Sequence, residues 1–339
     1  MIDFIHVGDY KTGTSWLQKY FYPIHPEINY FGGPFVDNDL EHQLHIMVDS
    51  RDLDFNGDIL RKNISPLMKN INGKKSGICR EVFSGSDYIS CDNAKQNAER
   101  IKAVFGNIKV IFVIREQLSM LLSIYSQYLK IGGTLKLNDF IFDPIVSRGL
   151  IERLQWHKQV KMYYDLFGQE NVHIALFEDF VNDKQSFLNK ICDYLEIQHL
   201  NISHDNKAVN KKLTNYGSII SRKGNKFFRS KYNNSKRNNL APILIELFTS
   251  KRKLISLIND TEKRIVPNYN NIDYKNRKTY ALNWRGIVLF RRISEKIKWG
   301  NSLTIPKEMD ELLKNYFKES NCILRDQYNL PVEKYNYSI

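Results

Sequence analysis

Residues 4–18 read FIHVGDYKTGTSWLQ, and this stretch constrains the fold more than any other part of the chain. A short apolar run into Gly8 is typical of a strand that is buried on both faces, and an apolar helical pattern begins near Thr14. Gly13, between them, can adopt a positive φ and let the backbone approach a ligand. A strand–loop–helix junction directs backbone N–H groups and the positive end of the helix at one point. The stretch therefore predicts an anion site.

Lys11 decides what kind of anion site this is. A plain capped helix would explain the hydroxyl side chains of the loop, but not the lysine and Gly13 together. In the Walker pattern of nucleoside-triphosphate enzymes the lysine follows the second glycine, whereas Lys11 precedes it. No predicted strand ends in an Asp that could hold Mg²⁺, and the third one ends in Arg115. The loop therefore predicts an anion that is bound without a metal.

The first 205 residues alternate predicted strands with predicted helices. The strands cover 3–8, 75–81 (the weakest), 109–115 and 171–178, and the helices cover 14–22, 94–105, 118–131, 151–167 and 184–195. This alternation predicts an α/β fold with a mostly parallel central sheet. Ligands of such folds bind beyond the carboxyl ends of the strands.

The composition changes after residue 205. The formal net charge of the 339-residue chain is +13, which indicates anionic partners such as a nucleotide, a nucleic acid, an acidic glycan or an anionic membrane. Residues 222–239, RKGNKFFRSKYNNSKRNN, interleave Phe227, Phe228 and Tyr232 with basic residues. This region is predicted to bind such a partner or, equally, to be a solvated helical face. Further helices are predicted at 242–259, 284–298 and 306–328.

The whole chain is predicted to be one domain. It would consist of an α/β cofactor-binding core (1–205), a basic helical region (206–300) and a C-terminal helix that packs on the core (301–339). Cys79, Cys91, Cys192 and Cys322 are too dispersed for a zinc site or a disulfide framework, and no third ligand accompanies the H-x-x-H of His42 and His45. The sequence has no signal-peptide pattern and no apolar run of membrane-spanning length, so a cytoplasmic protein is expected.

The loop HVGDYKTGTSWLQ resembles that of the sulfotransferases that use 3′-phosphoadenosine-5′-phosphosulfate (PAPS), which reads approximately P-K-[ST]-G-[ST]-[ST]-W-L. The match runs from Lys11 to Leu17, and Tyr10 stands where the family usually has proline. The resemblance implies that Lys11 faces the leaving phosphate. It also implies that the 5′-phosphate is held by Thr12, Gly13, Thr14 and Ser15. Trp16 would stack on the adenine, although core packing is an equal alternative.

Other segments extend the resemblance and imply a P-loop-like three-layer fold. VIREQLSMLLSIYSQYLK supplies Arg115 and Ser123, which would bind the 3′-phosphate of the cosubstrate through charge-assisted hydrogen bonds. RLQWHKQVKMYYDLFGQENVHIALFEDF and NYFKESNCILRDQYNL resemble segments of bacterial, carbohydrate-type sulfotransferases. Residues 222–224, RKG, begin like a cofactor-closing loop of the longer cytosolic enzymes, but the rest of that loop is absent.

The resemblance implies transfer of a sulfuryl group from PAPS to a hydroxyl or amine, with 3′-phosphoadenosine-5′-phosphate (PAP) as product and no metal. Glu81 ends the second predicted strand and is the candidate general base. It could instead pair only with Arg80 or Lys11, and His25 and His42 are the alternative bases. The expected acceptor is a glycan or glycolipid, with a small molecule as the alternative, and the basic region could contact the inner face of a membrane. A kinase that uses Mg-ATP and a nucleic-acid-binding protein are the rival functions.

Overall fold

The structure, a computed structural model, describes residues 2–32, 38–68, 73–85, 89–202, 213–228, 230–233, 274–297 and 300–339. Side chains are described throughout these ranges except at 274–281. The helix predicted at 242–259 and the end of the basic stretch, 234–239, lie outside the described residues.

The described strands form one parallel sheet. They are β1 (Phe4–Gly8), β2 (Ile28–Tyr30), β3 (Lys75–Cys79), β4 (Lys109–Ile114) and β5 (Val172–Leu176). Their spatial order is β2-β3-β1-β4-β5, and every neighbouring pair is parallel. The predicted α/β fold is therefore confirmed, and only the three-residue β2 was not predicted. Because β1 lies between β3 and β4, the loops that follow these three strands meet at the carboxyl edge of the sheet.

Thirteen α-helices are described, in addition to the strands of the sheet. The described helices are α1 (Thr14–Tyr20), α2 (Asn38–Asp49), α3 (Gly57–Ile64), α4 (Ala94–Phe105), α5 (Gln117–Lys130), α6 (Leu137–Phe142), α7 (Leu150–Arg153), α8 (Trp156–Phe167), α9 (Phe177–Asn182), α10 (Lys184–Leu195), α11 (Asn215–Asn225), α12 (Tyr274–Lys296) and α13 (Lys307–Asp326). The single helix predicted at 151–167 is in fact α7 and α8, because the chain turns at 154–155. No helix of the described ranges is both long and apolar enough to cross a membrane.

Side chains of successive β4 residues point to opposite faces of the sheet, and helices cover both faces. On one face, Ile111 packs in a cluster with Leu17 of α1 and residues of α10. On the other face, Phe112 packs on Tyr163 of α8, with ring centroids 5.0 Å apart. The three-layer arrangement is therefore present, with an apolar core on each side of the sheet.

The chain divides into two compact units. The first contains the sheet and comprises residues 1–120, 147–209 and 307–339. The second comprises residues 121–146 and 210–306. Within the second unit, the Asn225 amide donates to the carbonyls of Leu129 and Gly133, at 2.7 and 2.8 Å, and Lys130 forms an ion pair with Glu295 at 3.2 Å.

Candidate active site

The loop between β1 and α1 has a backbone that requires glycine at one position. Gly13 has a φ of 88°, in the left-handed region. A Cβ atom there would lie 3.0 Å from the Phe180 ring of α9. Lys11 also has a positive φ, 66°, which is uncommon for a residue with a side chain and frequent at functional sites. The positive φ expected at Gly13 is therefore confirmed, and the Phe180 ring of α9 would have to shift to admit a larger residue.

The amides of this loop are available to a ligand. Within the described part of the chain, the backbone N–H groups of Thr12, Gly13, Thr14 and Ser15 have no hydrogen-bond partner. The first turn of α1 has no acidic residue. Successive free amides at a helix start form a concave site for an anionic oxygen group. The loop therefore has the geometry of a phosphate cradle.

The threonine hydroxyls of the loop are engaged within the protein. The buried Thr12 hydroxyl donates to the carbonyl of Asp9 and closes the loop on itself. The Thr14 hydroxyl donates to the carboxylate of Glu81. Their hydroxyl protons are therefore already in use, and the groups that these two residues offer an anion are their amides. Ser15 is exposed.

A buried ion pair holds the start of the loop between β1 and α1. Arg153 of α7 donates to the carboxylate of Asp9, and both side chains are buried, at 2% and 0% exposed. Burial raises the pKa of Asp9, and the charge of Arg153 opposes that rise. Next to this ion pair, the Tyr10 hydroxyl donates to the Gly85 carbonyl at 2.9 Å. Tyr10 thus anchors the loop within the protein.

Arg115 follows β4 and reaches the same loop. Its Nη1 donates to the Lys11 carbonyl at 3.0 Å, and its guanidinium lies 4.6 Å from the centre of the Phe177 ring. Burial lowers the pKa of Arg115, against the opposing charges of Glu178 and Glu116. The structure therefore joins the lysine loop and the arginine at one edge of the sheet, as the order of strands predicts.

A serine that the sequence analysis did not single out bonds to Arg115. Ser119 of α5 accepts a hydrogen bond from the Nε atom of Arg115 at 2.9 Å. The predicted partner, Ser123, is half-buried one helical turn further along α5, on the same face of that helix. The spacing R-x-x-x-S was the available signal for Ser119. The role of Ser123 remains a prediction.

Glu81 lies where the sequence analysis expected it. It follows β3, which neighbours β1, and it accepts the hydrogen bond from Thr14. Burial raises the pKa of Glu81, whereas the Thr14 hydrogen bond and the charge of Lys11 lower it. Arg80 forms two hydrogen bonds with Glu41, at 2.7 and 2.6 Å, so it is already engaged elsewhere. A carboxylate with a raised pKa beside an anion loop is suited to accept a proton.

The remaining predicted site residues, Trp16, His25 and His42, differ in their burial and contacts. Trp16 is 5% exposed and packs against Phe180, with ring centroids 5.4 Å apart, and its stacking on an adenine stays a prediction. His25 is buried, and its Nε2 lies 3.0 Å from the Gln198 carbonyl. His42 is exposed on α2. In the ranges that the structure describes, no three His, Cys, Asp or Glu side chains form a metal-ligand cluster.

The chain matches a known protein family over most of its length. A family model described as the sulfotransferase domain matches residues 2–253. Curated proteins give no match. A solved sulfotransferase from Alicyclobacillus acidocaldarius is 19% identical, with a TM-score of 0.45 over 62% of this chain and 87% of that one. A mouse sulfotransferase complexed with PAP is 14% identical, with a TM-score of 0.33 over 93% of this chain and 88% of that one.

The family match covers well over half of the chain and includes the lysine loop, Glu81 and Arg115. It agrees with the resemblance that the loop sequence carries. The chain therefore belongs to the sulfotransferase domain family, the PAPS-dependent sulfotransferases.

Proposed function

We propose that this chain transfers a sulfuryl group from PAPS to a hydroxyl of a glycan or glycolipid and releases PAP. The observation that carries the proposal is the cradle of four unpartnered amides at residues 12–15, flanked by Lys11 and Arg115. The family match from residue 2 to 253 spans parts of both compact units. It supports treating the whole chain as one sulfotransferase domain.

The loop residues have separate tasks in this proposal. The amides of residues 12–15 bind the 5′-phosphate, and PAPS supplies the activated sulfuryl group when it is bound. Lys11 places a cation at the leaving phosphate, where negative charge increases during transfer. A lysine in that position supports catalysis without a metal, so activity should persist in EDTA.

Arg115 and Ser123 are proposed to bind the 3′-phosphate. Arg115 is held by two anchors, the Lys11 carbonyl and the Ser119 hydroxyl. These anchors fix the guanidinium before a ligand arrives, so little conformational entropy is lost on binding. Arginine also presents several donors in a planar arrangement that suits phosphate oxygens.

Glu81 is proposed as the general base that accepts the proton of the acceptor hydroxyl. The raised pKa supports this role, because a base closer to neutral pH holds the transferred proton better than an ordinary carboxylate. Thr14 fixes the orientation of the carboxylate through its hydrogen bond. A glutamate base is a feature of the carbohydrate-modifying sulfotransferases that this chain resembles, and it supports proposing a carbohydrate acceptor. The resemblance of two segments to bacterial sulfotransferases supports proposing a bacterial enzyme, and the cytoplasm is its proposed location.

The test measures PAP release from PAPS with separate panels of oligosaccharides, glycolipids, phenols and amines. We expect PAP release to depend on a carbohydrate acceptor. Glu81→Gln should abolish this release, while the affinity of the variant for PAP stays within a few-fold of that of the parent. Glu99→Gln, at an exposed residue of α4, is the matched control and should be fully active. A fully active Glu81→Gln variant would remove Glu81 from this role, and phosphate transfer from Mg-ATP would favour a kinase instead.

A further inference from the structure

Helices α11 and α12 of the second unit pack closely along one side. The Ser221 hydroxyl donates to the Ser294 hydroxyl at 2.7 Å. A Cβ atom at Gly217 would lie 2.8 Å from the Ser294 carbonyl oxygen, and one at Gly224 would lie 2.2 Å from the Phe290 ring. Residue numbers therefore rise along one helix as they fall along the other, and the two helices are antiparallel. Small residues of α11 allow this close approach.

The remaining surface of these two helices exposes large apolar side chains. Ile219 is 38% exposed on α11, and Phe227, in the turn that follows, is 58% exposed. On α12, Leu289 and Ile293 are 50% and 42% exposed. The last two are four residues apart and share one side of their helix. Clustered exposed apolar residues of this size commonly mark an interaction site.

Cations accompany these apolar residues. Lys223 is exposed four residues after Ile219, and Arg292 and Lys296 are exposed on the turns that carry Leu289 and Ile293. In sequence, α11 and α12 contain a single acidic residue, Glu295, which is half-buried and paired with Lys130. We call the seven exposed residues the basic–apolar face: Ile219, Lys223, Phe227, Leu289, Arg292, Ile293 and Lys296.

We propose that the basic–apolar face binds the surface of an anionic lipid bilayer. Aliphatic and aromatic side chains of such a face insert into the boundary between headgroups and acyl chains, and lysine and arginine contact the anionic headgroups. Both requirements are met on one helix pair whose own sequence holds a single acidic residue, and among the described side chains that residue, Glu295, is paired with Lys130. This inference stands independently of the sulfuryl-transfer proposal, because none of the seven residues belongs to the candidate active site.

Two other partners fit the same face less well. Single-stranded nucleic acid is bound by exposed aromatic rings on which bases stack. Here Phe228 is buried beside Phe290, and Tyr232 packs against Tyr128 with ring centroids 4.9 Å apart. The exposed rings are Phe227 and Tyr216 of α11, whereas three exposed side chains of the face are aliphatic. A second copy of the chain would bring two positively charged faces together, which is repulsive.

The experiment is flotation of the 339-residue chain with phosphatidylcholine vesicles, with and without phosphatidylglycerol. We expect binding only to the anionic vesicles, and its release by added salt. The triple variant Phe227→Ser/Leu289→Ser/Ile293→Ser and the triple variant Lys223→Gln/Arg292→Gln/Lys296→Gln should each weaken binding roughly tenfold to a hundredfold. The matched control changes α13, where Leu312→Ser (57% exposed) with Lys318→Gln should bind like the parent.

Several outcomes would overturn the proposal. They are equal binding to neutral and anionic vesicles, no vesicle binding by the parent, or the same loss in the α13 control. Binding of single-stranded RNA or dimerisation in place of vesicle binding would assign the face to those partners. Circular dichroism of each variant checks folding, and the salt dependence of the parent keeps the proposal testable if a variant does not fold.

Discussion

Replacing Arg153 tests whether the buried ion pair supports the active-site loop. In Arg153→Met the Asp9 carboxylate remains buried, and among the described residues it retains the Tyr10 amide and the Ser84 hydroxyl, the latter at 3.4 Å. Removing one partner of a buried ion pair costs about 3–5 kcal/mol of unfolding free energy. The exposed pair of Arg51 and Asp54, at 2.7 Å, provides the matched control, and Arg51→Met should cost less than about 1 kcal/mol.

The sign of the pH dependence follows from the pKa of Asp9. Burial already raises this pKa, and loss of the opposing charge of Arg153 raises it further. A raised carboxyl pKa means that the folded state binds the proton more tightly, so stability is lost as pH rises through that pKa. The loss in Arg153→Met should therefore be largest near neutral pH and smaller near pH 5.

Urea unfolding followed by circular dichroism at both pH values measures this effect. The double variant Asp9→Asn/Arg153→Met removes the unpaired charge and should recover part of the lost stability, as a double-mutant cycle would show. The reasoning is refuted if Arg153→Met is as stable as the parent near neutral pH, or if the double variant is no more stable than the single one.

The remaining predictions concern the loop and its neighbours. Gly13→Ala should weaken PAP binding in calorimetry, because of its positive φ and the aromatic ring 3.0 Å away, whereas Gly106→Ala, with a φ of 75° and open space, should bind PAP normally. Thr14→Val removes a hydrogen bond that lowers the pKa of Glu81, so the acid limb of the kcat/KM profile should move to higher pH, and an unchanged profile would contradict this. Ser119→Ala loses one anchor of the arginine that follows β4 and should weaken PAP binding by about 0.5–1.5 kcal/mol, and an unchanged affinity would show that the anchor is dispensable.

The sequence predicts the parts of the site that are local or follow from strand order. Lys11 and Gly13 lie in one short loop, so their spacing is readable directly. Glu81 and Arg115 each follow a buried strand, and parallel strands bring their carboxyl ends to one edge. The residues that hold these groups in place are harder to predict. Asp9 and Arg153 are 144 positions apart, and only the folded chain brings them together.

Helical spacing explains two further differences. The apolar positions of α2, at Leu40, Leu44, Met47 and Val48, follow a helical period that the sequence analysis did not use. The helical spacing of apolar residues from 151 to 167 predicts one helix, but the chain turns before Trp156. That turn allows the Trp156 indole to donate to the Arg115 carbonyl at 2.7 Å. The spacing of apolar residues along the sequence does not predict this tertiary contact.

The central claim is that the cradle at residues 12–15 and Arg115 together bind a nucleotide that carries a 3′-phosphate. Thermal unfolding with PAP, AMP and Mg-ATP, in parallel, tests it most directly. A ligand at about 100 times its Kd should add about 2.7 kcal/mol of stability. We predict that PAP stabilises the chain, that AMP does so far less, and that Arg115→Lys reduces the difference between the two. Equal stabilisation by AMP and PAP, or stabilisation by Mg-ATP alone, would contradict the account.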